Sequence, residues 1–171
     1  MQSVVLDFSA ADEAQQWRVI NDGVMGGLSQ SRIEITSHHT AIFRGTVSLE
    51  NNGGFASVRR VPRSYELGGT LGLRLHVRGD GRTYQLRLRT GDDYDGVAYR
   101  ASFAPQTEWS HIELRFEDFV PSFRGRVVRA PKLDPADVRQ VGFLIADKKE
   151  GAFELEIDRI EAIPPSSESS D

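Results

Sequence analysis

The chain contains no cysteine among its 171 residues, and histidine is scarce. Without cysteine there can be no disulfide bond, thiol nucleophile, zinc–thiolate site or cysteine-ligated iron–sulfur cluster. The four histidines are the adjacent pair His38 and His39 and the isolated His76 and His111, none with the spacing of a helical zinc motif. No Gly-x-Ser-x-Gly element presents a serine nucleophile. The sequence therefore suggests no catalytic constellation, and we expect a protein that is not an enzyme and has no metal or cofactor.

Long hydrophobic runs are missing as well. No apolar stretch approaches the roughly 20 residues that cross a bilayer, so we expect no membrane insertion. The N-terminus has no basic region followed by an apolar core, and Asp7, Asp12 and Glu13 precede the first arginine, Arg18. These features do not fit a signal or transit peptide, and we expect a cytoplasmic protein. The formal net charge of −4 gives no reason to expect nucleic-acid binding.

Composition indicates one globular domain. Apolar residues make up 39% of the chain and charged residues 27%, as in ordinary soluble domains. We expect a single domain over residues 1–163. The tail, residues 164–171, consists of proline, serine and acidic residues and has the composition of a disordered segment.

Alternation of apolar and polar residues with a period of two is the main structural signal. It predicts strands at 31–35, 41–49, 55–61, 97–103, 109–116, 141–146 and 153–163, separated by segments rich in Gly, Asp, Asn and Pro. Many short strands at this spacing are typical of a β-sandwich or jelly roll. At most one or two short helices are expected, at 10–17 and 135–138. The predicted fold class is all-β, a jelly-roll sandwich of antiparallel strands.

Two further alternating segments, 71–77 and 84–89, are joined by the turn sequence Gly79-Asp80-Gly81. This arrangement predicts an antiparallel hairpin. In such a hairpin the polar positions of both strands share one face. That predicted face contains Arg74, Arg78, Arg87 and Arg89, and Arg100 and Arg115 would extend it from the following strands.

Arginine greatly outnumbers lysine: Lys132, Lys148 and Lys149 are the only lysines among 21 basic residues, which leaves 18 arginines. Like charges on neighbouring strands repel unless an anion lies between them. The sequence leaves two kinds of anionic partner for these arginines. Internal carboxylates such as Glu113, Glu154 and Glu156 would form a surface ion-pair lattice. Alternatively, the arginines would bind an anionic ligand or an acidic protein surface.

Two glycine-rich segments are the strongest candidates for binding loops. They are Asn21-Asp22-Gly23-Val24-Met25-Gly26-Gly27-Leu28-Ser29 and Asn51-Asn52-Gly53-Gly54-Phe55-Ala56-Ser57-Val58-Arg59. Clustered glycines indicate positive φ angles or close approach to another group, and loops at strand ends often bind ligands. The acidic segment 92–96 is interpreted as a solvated turn, although bound Ca²⁺ is an alternative. Asp22 and Asp80 are interpreted as turn residues.

These loops and several later segments resemble the complex I intermediate-associated protein 30 family. The later segments are Arg78-Gly79-Asp80-Gly81-Arg82-Thr83-Tyr84, Trp109, Phe116-Glu117-Asp118-Phe119-Val120-Pro121, Phe123-Arg124-Gly125-Arg126, Ile145-Ala146-Asp147-Lys148 and Gly151-Ala152-Phe153-Glu154-Leu155-Glu156-Ile157. The resemblance runs in order from about Phe8 to Ile163. It implies a galactose-binding-like jelly roll and a non-catalytic role in assembling respiratory NADH:ubiquinone oxidoreductase. It supplies no catalytic residues.

From these observations we expect a binding protein whose partner is another protein. Subunits and assembly intermediates of the respiratory complex are among the candidate partners. The alternative is a small-ligand module for a carbohydrate or anion, for which Trp17, Tyr94, Tyr99 and Trp109 are the aromatic candidates. The predicted binding residues are Asn21, Asp22, Met25, Gly26, Gly27, Ser29, Asn51, Asn52, Gly53, Gly54, Phe55, Ser57, Arg59, Arg74, Arg78, Asp80, Arg87 and Arg124.

Overall fold

The computed structural model describes residues 3–21, 27–50, 54–92, 96–123 and 126–165, which form two antiparallel sheets packed face to face. The predicted all-β jelly-roll class is confirmed. Of the tail that was predicted to be disordered, only Pro164 and Pro165 belong to the described residues.

Sheet A contains six strands in the order β3-β4-β13-β6-β9, and β1 pairs with β13. Their bounds are β1 Ser3–Asp7, β3 Gln30–Ile35, β4 Ala41–Val47, β6 Gly72–Arg78, β9 Ser110–Arg115 and β13 Gly151–Ile163. The long strand β13 pairs with β4 through its first half and with β1 through its second, while β6 follows its other edge. This strand therefore joins all parts of sheet A.

Sheet B contains seven strands in the order β11-β10-β8-β7-β12-β5-β2. Their bounds are β2 Trp17–Val19, β5 Ala56–Arg60, β7 Tyr84–Arg89, β8 Ala98–Phe103, β10 Val120–Phe123, β11 Arg126–Val127 and β12 Gln140–Ile145. The strand segments predicted from alternation match observed strands, with ends that differ by at most two residues.

The core lies between the sheets and is built from the apolar half of each alternating strand. Leu73 and Leu75 of β6, like Leu86 and Leu88 of β7, are completely buried. Tyr84 of sheet B packs edge-on against the ring of Phe153 in sheet A, with centroids 6.3 Å apart. Each fully buried side chain of this size contributes about 1.5–3 kcal/mol of hydrophobic stabilisation.

Helical structure is limited to short 3-10 turns in the described residues. Two of them, Glu13–Gln16 and Pro135–Asp137, lie where short helices were predicted. The Asp134 side chain accepts a hydrogen bond from the backbone N–H of Ala136 and so caps the second turn. A third turn, Phe116–Asp118, was missed because it interrupts a segment that otherwise alternates like a strand.

The hairpin predicted for 71–77 and 84–89 is wrong. β6 pairs with β13 and β9 in sheet A, whereas β7 pairs with β12 and β8 in sheet B. The connection through Gly79-Asp80-Gly81 crosses from one sheet to the other. Alternation could not reveal this, because both strands turn their apolar side chains to the same core from opposite sides.

The crossing also corrects the predicted arginine face. Arg74, Arg78 and Arg115 belong to sheet A, and Arg87, Arg89 and Arg100 belong to sheet B. The two groups therefore lie on opposite outer surfaces of the sandwich. Any single binding face contains only one group.

Candidate functional site

The outer face of sheet A is a lattice of arginine–carboxylate pairs. Arg74 Nε donates to Glu113 Oε2 at 2.9 Å, and Arg78 Nε donates to Glu156 Oε1 at 2.8 Å. Cross-strand register places Arg74 between Glu113 on β9 and Glu161 on β13. The positive charges of these two arginines are therefore already balanced by neighbouring strands of the same sheet.

The outer face of sheet B is different, because its register aligns four arginines in one cross-strand row. Arg18 lies opposite Arg59, Arg59 and Arg87 lie on either side of Gly142, and Arg87 lies opposite Arg100. Residues directly opposite each other on antiparallel strands point to the same face of the sheet. We call Arg18, Arg59, Arg87 and Arg100 the arginine row.

Gly142 provides no side chain in the middle of this row. An added Cβ at residue 142 would lie 2.7 Å from the Val58 carbonyl oxygen, so the site accommodates no larger residue without movement of the backbone. With strands spaced about 4.8 Å apart, Arg59 and Arg87 are about 10 Å apart across bare backbone, and the full row spans about 19 Å. The row is thus interrupted in its middle by a position without a side chain.

Arg87 lies close to two other positive charges of the row, Arg59 and Arg100. Burial, followed by the charges of Arg100 and Arg59, lowers the pKa of Arg87 to about 10. Its Nη1 donates to the side-chain oxygen of Gln85, a neutral group, at 3.1 Å. Within the described parts of the chain, neither Arg87 nor Arg100 forms an ion pair with a carboxylate. The positive charge at this place is held at a cost in free energy, which an anion would reduce.

The two glycine-rich loops meet next to the start of β5. Asn21 Oδ1 accepts hydrogen bonds from the Ser31 hydroxyl at 2.7 Å and from the Ser57 backbone N–H at 3.1 Å. Ser29 Oγ accepts from the Ser48 N–H at 2.8 Å, which ties the first loop to the segment that follows β4. Asn21, Ser29 and Ser57 therefore have structural roles that were not foreseen.

The structure describes only part of the predicted loop site. Gly27, Gly54 and Phe55 are half-buried, and Gly54 has a φ of 131°, a conformation that favours glycine. The following predicted residues lie outside the described residues: Asp22, Met25, Gly26, Asn51, Asn52, Gly53 and Arg124.

Asp80 acts within the fold, as its interpretation as a turn residue predicts. Its carboxylate accepts hydrogen bonds from the Tyr84 hydroxyl at 3.0 Å, from the Arg82 N–H at 3.1 Å and from the Glu154 N–H at 2.8 Å. Burial and then the charge of Asp80 raise the pKa of Tyr84. Asp80 thereby fixes the crossing between the sheets.

Arg82, beside this crossing, has a structural role that the sequence did not indicate. Its guanidinium forms a two-pronged pair with Asp147, with Nε–Oδ2 and Nη2–Oδ1 distances of 2.9 and 2.7 Å. It also donates to the carbonyl oxygens of Gly151, Ala152 and Lys149. Two segments of the family resemblance, 78–84 and 145–148, are thus joined by this contact.

A second missed cluster is the buried pair of Arg60 and Glu13. Arg60 Nε donates to Glu13 Oε2 at 2.7 Å, and the Trp17 indole N–H donates to the same oxygen at 3.1 Å. Both charged side chains are among the buried residues. Hydrogen bonding to Glu13 raises the pKa of Arg60 against the opposing effect of burial. Glu13 lies among polar residues of the predicted helix 10–17, and that pattern does not indicate a buried side chain.

The aromatic candidates do not assemble into one platform. Trp17 and Tyr99 are buried, and Tyr99 donates its hydroxyl hydrogen to the Pro131 carbonyl at 2.6 Å. Trp109 lies on the other side of the sandwich, with the Arg78 guanidinium 5.0 Å from its ring centre. Tyr94 lies outside the described residues.

The surface concavities are small. One of about 240 Å³ is lined by Arg78, Asp80, Glu154 and Glu156, so its arginine is already paired. Another of about 390 Å³ lies between the β7–β8 end and the segment 130–137. Over the described ranges, no group of three or more His, Asp or Glu residues is arranged to hold a metal ion.

The architecture defines the class as a jelly-roll β-sandwich of two antiparallel sheets. The structure superposes on a family 11 carbohydrate-binding module of a Clostridium thermocellum cellulase with a TM-score of 0.70 and 16% identity, covering 96% of this chain and 95% of that one. The same module in complex with a mixed-linked tetrasaccharide gives a TM-score of 0.65 at 17% identity and 96% coverage of both chains. At these identities, the likeness shows a shared fold.

Residues 6–157 match the sequence profile of Complex I intermediate-associated protein 30, and the chain belongs to that family. It is 31% identical over 184 aligned positions to the mitochondrial protein of that name from Drosophila melanogaster, covering 92% of this chain and 61% of the relative. The mouse mitochondrial protein is 29% identical, with 92% and 55% covered. The chain thus spans little more than half the length of these relatives. The predicted family resemblance is confirmed.

Among the described residues, no helix is both long and apolar enough to cross a bilayer.

Proposed function

We propose that this protein is a non-catalytic binding module that acts in the assembly of respiratory complex I through direct protein contacts. The proposal draws on the names of its relatives, complex I intermediate-associated proteins. We place the contact surface on the outer face of sheet B. There Arg87 and Arg100 lie side by side, and no carboxylate of the described residues pairs with either. Protein surfaces that recruit partners use arginine in this way.

Exposed apolar area lies near the glycine-rich loops, before β3 and after β4. Leu28 and Leu49 are 53% and 44% exposed and flank the hydrogen-bonded pair of Ser29 and Ser48. The proposed surface combines these leucines with the arginine row. It excludes Arg74 and Arg78, which are engaged on the opposite face.

The alternative of a carbohydrate ligand receives less support from the same face. The positions next to the arginine row are Ser57, Leu144, Gln85 and Ser102, which align across four strands. These described positions offer no aromatic ring on which a sugar could stack. The anionic half of that alternative fits the charge of the row better. A cytoplasmic location remains a prediction, whereas the relatives are named as mitochondrial.

Deletion and complementation test the proposal. Complex I in the deletion strain is measured on native gels by its NADH dehydrogenase activity, and contacts are identified by cross-linking with mass spectrometry. The wild type and an Arg74→Gln/Arg78→Gln variant should restore the complex and cross-link to its subunits, but an Arg87→Gln/Arg100→Gln variant should do neither. Both variants remove two positive charges, so net charge is matched. Normal complex I in the deletion strain, without cross-links to its subunits, would refute the proposal.

A further inference from the structure

The spacing and charge of the arginine row indicate what kind of partner it contacts. The register places the backbone positions of the four arginines along about 19 Å, at right angles to the strands. Arg18 Nη1 also donates to the carbonyl oxygens of Gln15 and Trp17. An isolated phosphate or a single sugar acid would reach only one neighbouring pair. A ligand that uses the whole row must be elongated.

An extended peptide has the matching dimensions. At about 3.3 Å per residue, six residues cover the row, and alternate side chains fall about 7 Å apart on the same side of the peptide. Three acidic residues at alternate positions would therefore reach the row, one of them between Arg87 and Arg100. Carboxylates form two-pronged hydrogen bonds with guanidinium groups.

The surroundings of the row favour a peptide over a phosphate polymer. Val120 stands next to Arg100 in register and is 39% exposed, so one end of the row presents an apolar contact. The parallel line of Ser57, Gln85, Ser102 and Leu144 is uncharged and suits neutral side chains. The net charge of −4 opposes long-range attraction of nucleic acids or anionic membranes.

We infer that the arginine row is the docking site for an extended acidic segment of the protein partner, which lies across the strands of sheet B and places carboxylates on Arg87 and Arg100. The inference rests on the proposed function and names the chemistry of the partner. The penalty of holding Arg87 beside two other cations is relieved when this segment is bound.

Fluorescence anisotropy with a labelled peptide of alternating Glu and Thr tests the inference on the full chain. The matched control peptide replaces each Glu by Gln. The Glu peptide should bind, the Gln peptide should not, and added salt should weaken binding. The Arg87→Gln/Arg100→Gln variant should lose tenfold or more in affinity, since each arginine provides charge-assisted hydrogen bonds. The Arg74→Gln/Arg78→Gln variant should stay within about twofold of the wild type.

Three results would overturn the inference. They are absence of binding to the Glu peptide, equal losses in the two double variants, and tighter arginine-dependent binding of inorganic phosphate, galacturonate, single-stranded RNA or phosphatidylserine vesicles. Thermal unfolding of each variant verifies that it is folded. If the peptide fails while complex I subunits still cross-link to the wild type, the inference is wrong and the proposed function stands. If the peptide binds but no subunit cross-links, the proposed function fails instead.

Discussion

Arginine is prominent on the outer faces of both sheets, but its neighbours differ. On sheet A, the register sets Arg74 opposite Glu113 and Arg78 opposite Glu156. Arg32 lies opposite Arg44 on this face too, but both have glutamate partners, Glu34 and Glu154. On sheet B, the register puts Arg87 directly opposite Arg100, with Gln85 as the hydrogen-bond partner of Arg87. The first face balances its own charge, whereas the second is the face that we propose to bind a partner. The same residue type thus has a structural role on one side of the sandwich and a proposed binding role on the other.

Two further arginines show how strongly the effect of this residue depends on its surroundings. Arg60 and Arg82 are buried or nearly so, and each is held by a carboxylate in a two-pronged contact. They extend the comparison from exposed pairs to buried pairs. Loss of the carboxylate partner should therefore cost more stability at a buried pair than at an exposed one.

Replacing Glu13 by alanine should give the largest loss of stability. Arg60 would then remain buried without its counter-charge, and removal of one partner from a buried pair typically costs about 3–5 kcal/mol. The free energy of unfolding from urea titration measures the effect. Glu113→Ala is the control, because it removes the exposed partner of Arg74 and should cost less than about 1 kcal/mol. Equal losses in the two variants would contradict the distinction between buried and exposed pairs.

Asp147→Asn should destabilise the protein by about 1.5–3 kcal/mol, because Arg82 loses charge-assisted hydrogen bonds at a largely buried position. Burial acts to raise the pKa of Asp147, but the hydrogen bonds and charge of Arg82, together with backbone N–H hydrogen bonds, outweigh it and lower this pKa overall. Stability from the pair is therefore fully present above the ordinary pKa of aspartate and is lost as pH falls through the lower folded-state value. Urea titrations of both proteins from neutral to acid pH should show their difference shrinking. A constant difference would refute this account.

Arg100→Glu would make the arginine row resemble sheet A. The new glutamate would lie opposite Arg87 and replace a like-charge pair by an opposite-charge pair, which should stabilise the fold by about 0.5–1 kcal/mol. Differential scanning calorimetry should show a higher melting temperature than for the wild type, with Arg100→Gln in between. The same variant should no longer bind the acidic peptide. A lower melting temperature in folded protein would indicate that the row is already balanced.

The Arg74–Glu113 pair should show the smallest effect. A double-mutant cycle with Arg74→Gln and Glu113→Gln should give a coupling free energy of about 0.5 kcal/mol, since both side chains are partly exposed. High salt should reduce the coupling further. A coupling above about 2 kcal/mol would show that the lattice on sheet A contributes more to stability than its exposure suggests.

The sequence predicted strand positions well because burial on one side of a sheet imposes a period of two. It could not predict which strands pair. β6 and β7 alternate correctly, and a short Gly-Asp-Gly turn suits a hairpin, yet the chain crosses between sheets at that turn. Pairing depends on contacts between segments far apart in the chain, such as Arg59 of β5 and Gly142 of β12.

For the candidate site, the sequence predicted the residue type, arginine, but not how the arginines are arranged. The excess of arginine indicated either an internal lattice or an anion-binding face. Arg74 and Arg78 belong to a lattice on sheet A, and Arg87 of sheet B, with a neutral hydrogen-bond partner, belongs to the proposed binding face. Which arginine joins which arrangement depends on register. The buried roles of Arg60 and Arg82 depend on Glu13 and Asp147, 47 and 65 residues away along the chain. Such distant partners leave no local pattern.

The position of β13 has a consequence for biosynthesis. This strand, Gly151–Ile163, follows every other described strand, yet it separates β4 from β6 at the centre of sheet A. During translation, the β3–β4 and β6–β9 pairs can form early, but they cannot be united until residue 163 leaves the ribosome. Until then their inner edges offer unpaired backbone groups to other chains. A nascent chain stalled before residue 151 is therefore the form most exposed to aggregation.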